Sequence, residues 1–469
     1  MIPTVLLPVA ADAVAGTCSS REELLHKATT STSSTTTAFH DNPITLASLC
    51  EARSSGDADR FRLFSLDEGV QELASLKDAG GGLLVECSTA AEGRDPSGLA
   101  EISRRSGLGI VLGASCQQQT NGTAQHETSA ETMSKELEHQ LLFGEHGTSS
   151  AAPPSFAPSP AGAAAAGSAS APARIQAGFL LVKLNSRCCG SPAPVRVETP
   201  TTTTAAGSPA QDTHGGLERR AAMELEGAAM AQQATGAPLM IACSHFVRWP
   251  RVVAALTIAT AHWESSQDGT AAAVADAAAA TTTSRKVIVA GMHGGVSQSL
   301  QDQASLLSKS KGIVLCFDCF GRVEWLPGPD YYPSDEESAV RIAELVRQGF
   351  ADRIVLSSGV SRRFHLSRFG GYGYGHALRT VPPRLLRLGV SAKDIGLMTR
   401  ENMLGLLDWY TPPPPIEIPK DYLPCSWCKK RFEPVEGEYF HKFQFVYCKI
   451  KCLRAHRDTG FDADAAASK

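Results

Sequence analysis

Residues 335–376 read "DEESAVRIAELVRQGFADRIVLSSGVSRRFHLSRFGGYGYGH". Apolar positions recur at helical spacing through "DEESAVRIAELVRQGF", and Ser334 followed by Asp335, Glu336 and Glu337 suits a helix start, with a capping hydroxyl and acids in the first turn. "DRIVLSSGV", 352–360, is then a short apolar run with the look of a buried parallel strand, and it feeds a loop dense in Arg, Gly and Tyr. In α/β folds the chemistry gathers at the C-terminal ends of the strands. This strand ends in Ser357, Ser358 and Gly359, where a base or ligand would be wanted.

The same alternation extends back along the chain. "GGLLVECS" (81–88), "GLGIVLGAS" (107–115), "AGFLLVKLNS" (177–186), "APLMIACS" (237–244), "RKVIVAGMHG" (285–294) and "GIVLCFDCFG" (312–321) read as strands. Helical stretches such as "DPSGLAEISRRSG", "MSKELEHQLLFG" and "LERRAAMELEGAAMAQQATG" lie between them. About eight such units in a row predict an α/β fold, a closed (β/α)8 TIM barrel. The N-terminal "MIPTVLLPVAADAVAG" is read as its first strand: it lacks the basic start of a signal peptide, and two prolines and Asp12 interrupt its apolar run.

With 469 residues, 41 Gly and 27 Pro, the chain predicts one large domain with additions that do not pack. Tracts at about 145–174, 190–216 and 266–284, and the shorter 29–37, lack the large apolar side chains that offset chain entropy, and are expected to be disordered insertions. A net charge of -4 gives no electrostatic footprint for nucleic acid or an anionic membrane, and no apolar run is long enough to span a bilayer. Thirteen cysteines, an odd number and mostly scattered, argue against a secreted disulfide framework and for a reducing intracellular compartment, taken as the cytoplasm.

Two stretches, "VECSTAAEGRDPSGLAEISRRSGLGIVLGAS" and "YYPSDEESAVRIAELVRQGFADRIVLSSGVSRRFHLSRFGGYGYGHALRTVPPRLLRLGVSAKDIGLMTRENMLGLL", resemble the phosphotriesterase-related proteins of the amidohydrolase superfamily. The resemblance implies two divalent metals, commonly zinc, whose bridging hydroxide attacks an ester, lactone, amide or phosphoester centre. The implied ligands are a His-x-His on the first strand, a carboxylated Lys on the fourth, a His each on the fifth and sixth, and an Asp on the eighth.

This chain departs at most of those positions. "REELL" puts Arg21 and Glu23 in place of the two histidines, and a guanidinium opposes a cation. Leu181 stands at the bridging lysine's place, with Lys183 two residues on; Ala242 replaces the fifth-strand His, with His245 three residues on. His293 is two residues late on the sixth strand, and Ser358 and Gly359 replace the eighth strand's His-Asp. These substitutions point to a barrel that has lost its binuclear centre, a pseudoenzyme acting as a binding or assembly component. The alternative is a zinc-dependent hydrolase with a rearranged mononuclear site built from Glu23, Lys183, His293 and His245.

Simpler roles stand beside these. Lys183 suits a strand-end lysine reaching solvent or a carboxylate, His293 a hydrogen-bonded histidine at the barrel mouth, and Arg21 with Glu23 an ion pair. Cys316 and Cys319 suit small apolar fillers. Arg362, Arg363 and Arg368 either bind an anion or brace the loop that carries them.

Barrel residues 1–409 are followed by a Pro-rich linker, 410–420, a module at 421–460 and a disordered tail, 461–469. In the module, Cys425-x2-Cys428 and Cys448-x3-Cys452 supply the four thiolates of a structural tetrahedral zinc, with His441 and His456 as possible substitutes. "CSWC" with "FVYCKIKCLRAH" resembles the MYM/TRASH group of treble-clef fingers, which implies protein partners through the finger or the barrel mouth. Lys429, Lys430, Arg431, Lys442, Lys449 and Lys451 leave nucleic acid as a weaker option.

Overall fold

The seven apolar runs from 81–88 to 352–360 each contain a strand, the more polar 17–22 adds another, and the eight strands follow one another in space as they do in sequence. They are β1 (Thr17–Glu22), β2 (Gly81–Glu86), β3 (Gly109–Ala114), β4 (Phe179–Leu184), β5 (Leu239–Cys243), β6 (Val287–Ala290), β7 (Ile313–Phe317) and β8 (Ile354–Leu356). Every neighbouring pair from β1–β2 to β7–β8 is parallel. The computed structural model describes residues 1–6, 9–24, 44–45, 48–50, 53, 65–116, 129–144, 175–184, 217–244, 247–264, 286–293, 298–323, 331–411, 423–434, 439–442 and 445–459. The low-complexity tracts at 29–37, 145–174, 190–216 and 266–284, most of the Pro-rich linker and the tail at 461–469 lie outside them.

The helices between the strands are α1 (Leu66–Asp78), α2 (Pro96–Ser106), α3 (Ala130–Leu142), α4 (Arg219–Thr235), α5 (Trp249–Glu264), α6 (Leu300–Lys309), α7 (Asp335–Arg347) and α8 (His376–Arg387). The helix predicted behind Ser334 is α7, and the Ser334 hydroxyl and Glu337 carboxylate form a reciprocal capping box there. Helix faces rich in Leu and Ala cover the outside of the sheet, as around Leu225, Ala228 and Leu239. Inside, Leu83, Val85, Val111, Phe179, Leu181, Met240, Ala242, Ile288, Ala290, Val314, Cys316 and Val355 fill the barrel. Parallel strands buried on both faces need such continuous apolar runs.

The N-terminal stretch corrects the expectation of a first strand at 1–16, since β1 begins at Thr17. Ile2 and Val9 make only a two-residue antiparallel bridge, and Ala11–Ala13 is a short 3-10 turn. Prolines remove ladder donors here, and the apolar residues serve as a plug instead: Ile2 and Val14 pack with Met403, Leu404 and Leu407 in the barrel's interior cluster.

The described residues divide into two units, those up to 411 and those from 423 onward. In the second, β9 (Leu423–Pro424) pairs with β10 (Arg431–Phe432), β11 (Phe440–Lys442) with β12 (Phe445–Tyr447), and α9 (Ile450–Arg457) follows. Among the described residues, no helix is long and apolar enough to cross a membrane.

Candidate functional site

At the C-terminal end of the barrel, the seam between β1 and β8 is closed by a carboxylate. Glu22, fully buried, accepts hydrogen bonds from the Ser19 hydroxyl (2.5 Å), the Ser357 hydroxyl (2.8 Å), the Ser358 amide (3.0 Å) and the Val360 amide (2.6 Å). The Glu23 amide donates to the Val360 carbonyl at 2.7 Å across the same seam. Burial pushes the Glu22 carboxyl up to about 7, against the pull of its four donors. Glu86, its partner in register on β2, is also fully buried; burial pushes it up to about 8, and one of its carboxyl oxygens has no hydrogen-bond partner.

The end of β8 has no room for the residue it lacks. Gly359 sits at φ +66°, and a Cβ there would lie 1.8 Å from the Asp318 carbonyl oxygen. The Ser358 hydroxyl points away from the barrel centre into the following loop, donating to the Tyr374 carbonyl and accepting from the Ala377 amide, each at 3.1 Å. Tyr374, fully buried, donates its hydroxyl to the Glu23 carbonyl at 2.8 Å. The loop after β8 is thus hydrogen-bonded to the ends of β1 and β8.

Lys183 reaches two carboxylates. Its ammonium lies 2.6 Å from Glu23 and 2.7 Å from Glu92, with little exposure on the lysine. Burial opposes its charge, but the two acids outweigh that and raise its pKa. Glu92 is held by a capping box with Thr89, a Thr-x-x-Glu spacing that was legible in the sequence but not singled out there. Glu23 and Lys183 therefore come together as an ion pair. Leu181 and Ala242 present only apolar atoms to the interior. Arg21's side chain and His245 lie outside the described residues. Among the described residues, the donors of a binuclear centre are not assembled: one is ion-paired, two are apolar, one is a serine turned away and one is a glycine.

His293 forms a different group. Gly291, at φ +87°, turns the chain after β6, and His293 is buried with its Nδ1 3.9 Å from the Asp318 carboxylate and without a hydrogen-bond partner. The Cys319 thiol lies 3.7 Å from the same Asp318 oxygen. Cys316 is an apolar filler of the barrel, as predicted, but Cys319 faces polar neighbours instead. Asp318 sat in the quoted "LCFDCFG", yet only the turn after β6 brings His293 to it.

The arginine loop is tied to α1. Arg363 donates to Glu68 at 3.2 Å and stacks over Phe369; Arg368 donates to Gln71 at 3.2 Å; Arg362 donates to the Ser361 carbonyl at 3.0 Å. Glu72 accepts from the amides of Ser367 and Arg368, fixing the loop backbone. These contacts fit the bracing role.

In the C-terminal module the four cysteine sulfurs lie within 4.8 Å of one another, with the Cys428 and Cys452 sulfurs 3.6 and 3.8 Å from that of Cys448. Such spacing fits a tetrahedral thiolate site. The β9–β10 knuckle presents Cys425 and Cys428, and Cys452 stands in the first turn of α9. His456 is no substitute ligand: it is fully buried, bonded to the Tyr447 hydroxyl at 2.9 Å and packed against Trp427 and Phe445. His441 is exposed beside Tyr439.

Residues 276–406 match the model of the phosphotriesterase family, and residues 420–464 that of the Vms1-associating treble clef domain. N-acetyltaurine hydrolase of Tetraodon nigroviridis is 32% identical over 112 residues, 23% of this chain and 32% of the relative. The phosphotriesterase homology protein of Escherichia coli (strain K12) is 37% identical over 91 residues, 19% of this chain and 29% of the relative. The chain thus spans about a third of the length of the curated relatives it matches. A resiniferatoxin-binding protein from Rhodobacter sphaeroides superposes with a TM-score of 0.60 at 21% identity, covering 87% of this chain and 94% of its own. The solved E. coli phosphotriesterase homology protein does so with a TM-score of 0.52 at 19% identity, over 84% and 99%. These likenesses bear out the barrel fold, with residues 276–406 similar to the phosphotriesterase family and residues 420–464 similar to the treble-clef domain.

Proposed function

We propose that the barrel no longer hydrolyses its family's substrates and that the protein works as a binding or assembly component, with zinc on the four cysteines of the finger. The observation that carries this is the Lys183 ion pair with Glu23 and Glu92 beside a Gly359 that can bear no side chain. A binuclear hydrolase needs nearly all its anionic and imidazole donors at once to lower the pKa of a bound water. Here a lysine ammonium stands among the carboxylates, and its charge opposes a cation in their place. The finger supports a protein partner, because the matching domain's name describes association with Vms1. Its 40 or so residues cannot bury much core, so a zinc held by Cys425, Cys428, Cys448 and Cys452 would supply folding free energy and present a rigid surface.

The test is a hydrolysis assay on the full chain, loaded in turn with zinc, cobalt and manganese, against an aryl ester, a lactone and N-acetyltaurine. The last is chosen because relatives are named for it. No turnover above metal-only controls is expected. Turnover that Lys183→Ala abolishes would establish the alternative, a hydrolase using Glu23, Lys183 and His293, and overturn this proposal.

A further inference from the structure

We infer that the barrel holds a single-metal site made by His293, Asp318 and Cys319, at the ends of β6 and β7, with zinc as the preferred ion. It differs from the family's implied binuclear set and from the Glu23, Lys183, His293 arrangement, since its two other donors come from β7. His293 Nδ1 and Asp318 Oδ1 are 3.9 Å apart, Cys319 Sγ and Asp318 Oδ1 3.7 Å, and all three atoms lie within 4.8 Å. Ligands around a tetrahedral zinc at bond lengths of about 2.0–2.3 Å are separated by roughly 3.3–3.8 Å, so small side-chain shifts bring these atoms to an ion.

The second observation is the histidine itself. It is 4% exposed, and its Nδ1 faces this group with no hydrogen-bond partner. A buried imidazole nitrogen without a partner costs free energy that a coordinate bond would offset. Asp318 is wholly buried and already oriented by the Gly291 amide, which donates to Oδ1 at 2.9 Å, an arrangement that holds a ligating carboxylate in place.

Charge and softness select the ion. Neutral imidazole, one carboxylate and one thiolate together carry two negative charges, which balance a divalent cation in a site of low dielectric. A mixed nitrogen, oxygen and sulfur set suits zinc rather than magnesium or calcium, which prefer all-oxygen ligands. Binding would release the Cys319 proton to solvent as the thiolate forms. Three protein ligands leave a fourth position for water or an anionic small molecule.

The site is placed by backbone as much as by side chains. Gly291 is required because a Cβ there would meet the Cys243 carbonyl oxygen at 2.4 Å, and Gly359 packs against the Asp318 backbone. The glycine that replaces the family's eighth-strand acid therefore lets the β7 end approach and carry Asp318 and Cys319.

The full-length protein, saturated with zinc and freed of excess by gel filtration, is measured for metal per chain by mass spectrometry. About two zinc ions are expected: His293→Ala and Cys319→Ser should each lose one and keep the other, while Cys425→Ser/Cys448→Ser should lose the finger's. With cobalt in the finger double variant, a thiolate-to-cobalt charge-transfer band should persist and vanish when Cys319→Ser is added. A circular dichroism spectrum unchanged from wild type shows that the variants remain folded. A count that neither His293→Ala nor Cys319→Ser lowers, or a finger double variant with no bound zinc, overturns the site. Neither result bears on hydrolysis, so the proposed loss of activity stands or falls separately.

Discussion

The Glu22 carboxylate accepts the amide protons of both Ser358 and Val360, 3.0 and 2.6 Å away, and so joins the first strand of the barrel to the end of the eighth. A seam without strand pairing is bridged by this buried acid together with the Glu23 amide, which donates to the Val360 carbonyl. Glu22→Gln would turn an amide group toward one of those N–H donors and leave it unpaired. It is expected to destabilise the barrel by about 1–3 kcal/mol, measured by urea denaturation.

The buried carboxyls predict how stability changes with pH. Glu22 and Glu86, ordinarily near 4.5, are pushed to about 7 and about 8 in the fold, so the native state keeps protons that the unfolded chain releases. Between these values the native state binds more protons, and stability falls as pH rises from about 4.5 toward 8. Glu86→Gln mimics the protonated acid, whose second oxygen has no partner, and should flatten this slope and raise stability at pH 8 relative to wild type. Melting curves at pH 5, 6.5 and 8 for both proteins check it; equal slopes would refute it.

An acid placed at position 359 is expected to bring no esterase turnover. Gly359→Asp places a Cβ on the Asp318 carbonyl at a left-handed φ, and is expected to cost roughly 2–5 kcal/mol with no gain of esterase turnover. Denaturation and an aryl ester assay on the same preparation read both effects.

Removing the lysine leaves its acids facing each other. Lys183→Met should destabilise the barrel by about 2–4 kcal/mol, because Glu23 and Glu92 lose their shared cation while mostly shielded from water. The double variant Lys183→Met/Glu23→Gln should recover part of that loss. Full additivity in the cycle would mean that the pair is not coupled.

Metal removal should separate the two units. A strong chelator is expected to unfold the finger, seen as exposure of Trp427, while the barrel's helical signal persists, since its core is apolar and continuous and the finger's is not. A single cooperative loss of both signals would contradict it.

The strands and helices of the barrel were legible because they rest on local pattern. Runs such as "GIVLCF" and "DRIVL" are apolar on both faces, and a buried parallel strand needs little else. The cysteine spacing likewise sufficed to assemble the finger's four thiols. The N-terminal stretch was misplaced because its apolar residues look alike whether they form a strand or a plug. What the local sequence could not carry is which polar atoms meet at the mouth. Glu22 and Ser358 are 336 residues apart, Lys183 and Glu23 are 160 apart, and His293 reaches Asp318 only through the turn at Gly291. Those meetings depend on barrel closure and strand register, which place side chains by the summed geometry of eight strands. The amino-acid sequence by itself therefore determined the scaffold and which residue types stand at the strand ends, and the tertiary structure decided which of them meet.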